Sequence, residues 1–191
     1  MLHFVGIDQS LNEPGLVIID VDGVLVVAAA LKVVARCRGA RRLHTLAAWY
    51  DAHLPNVVYG GAAMEGPSLG SEHREFDLGE ASGIAKHRLY VGTGLEPLIV
   101  APLQLKKYIA SSGATKQDVM NAVKSRYGFS TDNDNIADAY VLAQIARHLT
   151  LDIRPPTRAA AEVIAALRFE PPASAPAARG RKTRSKSPLN V

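Results

Sequence analysis

Phe4-Val5-Gly6-Ile7-Asp8-Gln9-Ser10-Leu11-Asn12-Glu13-Pro14-Gly15, followed by the apolar run Leu16-Val17-Ile18-Ile19, decides how the rest of the chain is read. An apolar strand that ends in one carboxylate, turns through polar residues and glycine, and resumes as a second apolar strand is a hairpin pattern with Asp8 at its mouth. Asp8 is then either a site residue or a turn residue whose carboxylate bonds nearby amides. The stretch by itself leaves both open.

Downstream residues bear on that choice. Strands are expected over 2–8 and 15–21, and Asp22-Gly23 signals a tight turn into a third strand from Val24 to Val34, giving a three-stranded meander. Asn56 to Met64 reads as a further buried strand that stops at Glu65-Gly66-Pro67, so a second apolar strand delivers a carboxylate to its end. Isolated carboxylates near a sheet core are costly unless paired or metal-bound. Residues 68–75 read as a mobile loop, and Leu98 to Val100 as a short last strand.

Helical spacing marks Ala40 to His53, Phe76 to Tyr90, Leu103 to Ile109, Ala114 to Tyr127, and a last core helix opening near Asp132 and running through Leu149. On that helix Asp138 shares a face with Asp134 and Asn135. Asp132 or Asp134 could serve as its cap, whereas Asp138 lies within it among apolar residues. Arg36, Arg38, Arg41 and Arg42 open the first helix, as a solvated entry or a face toward phosphates. Lys106, Lys107 and Lys116 lie near helix starts, where phosphates are well received.

The 191 residues, 48% hydrophobic and 21% charged, suffice for one globular domain with a real core. One cysteine, Cys37, excludes an internal disulfide and a cysteine-rich zinc site, and the six histidines show no paired metal spacing. No secretory signal and no membrane-spanning run is evident, so the expected location is the cytoplasm, with no membrane partner. The net charge of +4 is uneven, because Arg179, Arg181, Lys182, Arg184 and Lys186 crowd the end of the chain. Such a tail favours polyanions. The expected organisation is a domain over 1–153, a peripheral helix within 154–169 and a disordered basic tail over 170–191, whose composition cannot bury enough apolar area to order itself.

Two strand-end carboxylates and a third on a helix would crowd like charges unless a cation neutralised them. All-oxygen donors without a His or Cys set select magnesium, with manganese able to substitute. Two such ions about 3.5–4 Å apart serve phosphodiester hydrolysis, which points to a nuclease.

Gly6-Ile7-Asp8-Gln9-Ser10 with Gly15, strand-end Glu65, Pro102 with Leu105-Lys106-Lys107, Gly113-Ala114-Thr115-Lys116-Gln117-Asp118-Val119 and Ala137-Asp138-Ala139 occur in the order seen in the RuvC family of Holliday junction resolvases. The chain resembles that family over about residues 3–149, most closely its phage-type members. The resemblance implies an α/β, ribonuclease H-like fold: a five-stranded mixed sheet, its first three strands antiparallel, flanked by helices. It implies a homodimer acting on branched DNA, with no small-molecule substrate, in a bacterial or phage-infected cell.

Residue by residue, it implies metal ligation by Asp8, Glu65 and Asp138, and basic groups near the scissile phosphate at Lys116 and at Lys106 or Lys107. The family's fourth acidic position is Asn135 here, so either its carbonyl oxygen or neighbouring Asp134 would complete a two-ion site. Leu69, Lys107 and Arg74 are the expected DNA contacts, with Leu69, or Phe76, as a wedge against unstacked bases. The expected activity is that of a magnesium-dependent crossover junction endodeoxyribonuclease making paired symmetric nicks. Alternatives are a same-fold nuclease for other branched DNA or RNA–DNA hybrids, and a junction-binding protein without catalysis. The actin and sugar-kinase ATPase fold opens similarly but needs two such domains, which this length opposes.

Overall fold

The computed structural model describes residues 1–66 and 75–169. Its strands are β1 (Leu2–Asp8), β2 (Gly15–Asp20), β3 (Leu25–Ala30), β4 (Val58–Glu65) and β5 (Leu98–Val100). They form one sheet in the order β3-β2-β1-β4-β5. β1 pairs antiparallel with β2 and β2 with β3, whereas β4 runs parallel to both β1 and β5. The expected mixed five-stranded sheet with an antiparallel first half is therefore present. Parallel pairing needs crossovers, which the helices supply: α1 (Gly39–His53) leads into β4, and α2 (Glu75–Thr93) lies between β4 and β5. α3 (Pro102–Ile109), α4 (Lys116–Tyr127), α5 (Asp134–Leu151) and α6 (Arg158–Phe169) follow.

Alternation along the strands sorts their side chains into two cores. Phe4, Val17 and Ile19 join α3, α4, α5 and α6 on one face. Val5, Ile7, Leu16 and Ile18 join α1 and α2 on the other. α6 closes the first core with Ala160, Val163, Ile164 and Leu167, all buried, so this helix is packed rather than loosely attached. Among the described residues no helix is long and apolar enough to cross a membrane.

Two glycines set how close α5 comes. A Cβ on Gly6 would stand 1.8 Å from the carbonyl oxygen of Ala139 and 2.4 Å from the amide nitrogen of Ala143. One on Gly15 would stand 2.4 Å from the carbonyl oxygen of Asn135. Helix backbone thus lies directly on the backbones of β1 and β2, which only glycine permits. This contact carries Asp138 to the strand that ends in Asp8.

The third strand is shorter than the expected Val24–Val34. After Ala30 the chain peels from the sheet, and the amides of Leu31 and Val33 bond to the carbonyls of Pro14 and Asn12 at 3.1 and 2.7 Å. Those bonds to the preceding turn replace the ladder, although the residues remain strand-like in type.

Candidate active site

Asp8 stands at the mouth of the hairpin, but it does not cap the turn. The turn amides are taken by another side chain: Ser10 Oγ accepts from Asn12 N at 3.4 Å and Glu13 N at 3.2 Å. Asp8, only 5% exposed, has its carboxyl hydrogen-bonded to that of Glu65 instead. The two meet because β1 and β4 are parallel neighbours in register, Ile7 opposite Met64, so both strands end together.

Burial is the main reason that the Asp8 carboxyl holds its proton well above the ordinary range. The bond to Glu65 adds to it, as do the charges of Glu65, Asp138 and Asp134. Asp138 is pushed up to about 7, again first by burial and then by Glu65 and Asp134, with Lys116 and Lys106 opposing. Four carboxyl groups and two lysines therefore share one electrostatic site. Tyr50, wholly buried beneath the sheet on α1, also feels Asp8: burial and that charge both raise its phenol.

Local capping explains how α4 and α5 present their members. Thr115 caps α4 by accepting from Asp118 N at 3.2 Å, while Asp118 reaches back to the Thr115 amide at 2.9 Å. This capping box gives Thr115 and Asp118 structural work and leaves Lys116 in the first turn with its side chain 74% exposed. Asn133, rather than Asp132 or Asp134, caps α5 through a bond from Ile136 N at 3.1 Å. Asp134 is thereby left for Lys116, whose ammonium donates to Asp134 Oδ2. That bond is the chief reason the lysine holds its proton above its ordinary range.

Several residues anticipated together are separated. Asn135 Nδ2 donates to the backbone oxygen of Glu13 at 2.7 Å, tying α5 to the β1–β2 turn. Lys107 pairs with Glu162 of α6 at 3.0 Å, whereas its neighbour Lys106 acts on Asp138. Phe76, at the start of α2, is 87% exposed. Leu69 and Arg74 lie outside the described residues.

Among the described residues no three His, Cys, Asp or Glu side chains already converge tightly enough to hold a metal ion. The donor set nevertheless fits a hard divalent cation. Its donors are all oxygens, Asp8 is deeply buried, and every carboxyl neighbour raises its proton affinity, which is the field that a cation relieves. A cation here competes with the proton that burial and the neighbouring carboxyl groups favour on Asp8.

No family model and no curated protein matches the chain. Among solved structures, that of Thermus thermophilus RuvC aligns at a TM-score of 0.64 and 20% identity, covering 81% of this chain and 99% of that one. The chain has the RuvC fold. T. thermophilus RuvC in complex with a Holliday junction substrate aligns at a TM-score of 0.66 and 18% identity, covering 80% of this chain and 95% of that one. Identity this low leaves little for sequence comparison to detect, while the RuvC-like path of the backbone runs through nearly the whole of those structures.

The order of motifs singles out Asp8, Glu65 and Asp138 in the sequence, and the fold brings the three within reach of one another's charge. That order did not reveal Asn135 as a tie to Glu13, nor Tyr50 beneath Asp8. Nothing in the spacing of Tyr50 relates it to a strand end that lies far away in sequence.

Proposed function

We propose that this chain is a metal-dependent endonuclease that resolves four-way DNA junctions by paired symmetric nicks. The observation that carries the reading is the buried Asp8 carboxyl bonded to Glu65, within the fields of Asp138 and Asp134 and beside Lys116 and Lys106. A lone structural aspartate does not gather a second carboxylate from a parallel strand end and two more from a helix. Support for the substrate comes from the likeness in fold to RuvC bound to a Holliday junction.

Asp8, Glu65 and Asp138 would hold magnesium or manganese, with Asp134 as the fourth carboxylate and the carbonyl oxygen of Asn135 next to it in sequence. Bound there, the ions would activate water and stabilise the leaving oxygen of a phosphodiester. The protein's own share is distinct. Burial keeps Asp8 out of bulk water, and α5 fixes Asp138 against β1. Lys116, on an exposed stem, and Lys106 supply positive charge for the anionic transition state. A homodimer follows from the substrate, since two symmetric cuts match a two-fold enzyme. The basic tail would add salt-sensitive affinity for DNA.

Cleavage of a synthetic immobile four-way junction beside linear duplex tests the reading, with Asp8→Asn in parallel. Magnesium-dependent paired nicks on the junction, lost in Asp8→Asn, are expected. Full cutting by Asp8→Asn would overturn the assignment.

A further inference from the structure

Four cations near the start of α1 have no part in the site above. Lys32, Arg36, Arg38 and Arg41 are all exposed, and among the described residues none has an ion-pair partner. The next arginine behaves oppositely: Arg42 is 5% exposed and binds Asp77 at 2.8 Å, tying α1 to α2. The first turn of α1 carries no acidic residue. Like charges spaced so closely repel one another unless something anionic lies across them.

Their place in the fold gives the repulsion a meaning. β3 ends at Ala30, which pairs with Gly15, and Gly15 pairs with Asp8. The chain therefore leaves the sheet at the same end as the carboxylates. It is also held there. Leu31 and Val33 bond to the β1–β2 turn, Val33 is only 8% exposed, Cys37 N donates to Val34 O at 2.8 Å, and Cys37 Sγ meets Thr45 Oγ1 at 3.6 Å. Lys32 thus stands on backbone tied to the turn that follows Asp8, and Arg36, Arg38 and Arg41 follow it into α1.

We propose that Lys32, Arg36, Arg38 and Arg41 form a track for the phosphate backbone of a DNA duplex arm, beside the active-site end of the sheet. The inference rests on the reading of this chain as a nuclease for branched DNA, and it assigns the arm a surface separate from the scissile site. Several phosphates in a row, rather than one small anion, suit cations spread along the exposed positions between Lys32 and Arg41. No aromatic residue lies within 31–41, so there is no platform for stacking unpaired bases, which favours duplex over single strand. Contacts of this kind position the DNA without reading its sequence.

The test uses the full chain carrying Asp8→Asn, so that the DNA survives, and measures junction affinity by fluorescence anisotropy between about 50 and 200 mM salt. The same protein with Arg36→Gln, Arg38→Gln and Arg41→Gln is expected to bind at least about tenfold more weakly. Its plot of log affinity against log salt should flatten by about 0.9 for each phosphate that is no longer neutralised. A triple Arg→Lys version, which retains charge, is expected to keep most of both affinity and slope, and its melting temperature controls for folding. Unchanged affinity and slope in the glutamine variant would overturn the track, as would an equal loss in the lysine variant. Failure of the Asp8→Asn parent to bind any branched DNA would overturn the functional reading itself, and the track with it.

Discussion

Asp138 makes the strongest demand at the scale of single residues. Its carboxyl is raised from 3.8 to about 7 in the folded chain, so the native state binds a proton that the unfolded state releases. Stability contributed by that proton is fully present below about pH 4 and is lost as pH rises through about 7. With divalent ions removed by chelation, the melting temperature should therefore fall between about pH 4 and pH 7. The upper slope from Asp138 alone is about 1.4 kcal/mol per pH unit. Asp8, raised for the same reasons, steepens the fall. Magnesium or manganese should then restore stability at about pH 8 and do less at about pH 5, where Asp8 and Asp138 still hold their protons. Asp138→Asn should flatten the profile. A chelated protein whose melting temperature rises across that window would contradict the reading.

Asn135 belongs to the same scale. An aspartate there would match the resemblance better, yet the side chain donates to Glu13 O, and a carboxylate cannot donate. Asn135→Asp should therefore destabilise the chain by about 1–3 kcal/mol in urea unfolding, through an unpaired carbonyl facing a new negative charge. It should not raise cleavage. The sequence showed a departure from the family pattern at this position, but the bond that explains it joins residues far apart in the chain.

At the scale of elements, the close approach of α5 to β1 governs the site. Gly6→Ala sets a methyl group against helix backbone, which cannot swing aside as a flexible side chain would. The variant should lose at least about 1–3 kcal/mol of stability. Because α5 bears Asp138, cleavage should fall even where the fold survives, and chemical denaturation beside a junction assay separates the two effects. The elements themselves were largely legible. Apolar runs and the turn signals at Gly15 and Asp22-Gly23 mark the meander, and α1 to α5 fall where helical spacing is read. What local pattern could not supply was partnership. Val33 is a good strand residue, yet its amide bonds to Asn12. Lys106 and Lys107 are adjacent in sequence, but only the fold sends one toward Asp138 and the other to Glu162.

For the molecule as a whole, the two faces of the sheet carry different duties. α1 and α2 cover one core, and α3 to α6 complete the other, whose last buried member is Leu167. Ending the chain after Phe169 should leave the urea midpoint unchanged, since no described core residue is removed. Junction affinity should nevertheless drop, and its salt dependence should weaken, because five basic residues between Arg179 and Lys186 would be gone. An unaltered salt slope would deny the tail any share in holding DNA.

The seating of α5 on β1 also bears on how the protein is born. Asp8 and Glu65 precede α5 in the chain, whereas Asp138 arrives only with that helix. Until that helix settles against Gly6, the growing chain holds Asp8 and Glu65 without the carboxyl of Asp138 beside them. On the proposed reading, a nascent chain cannot cut DNA before α5 is made, and termination before α5 yields fragments that lack Asp138.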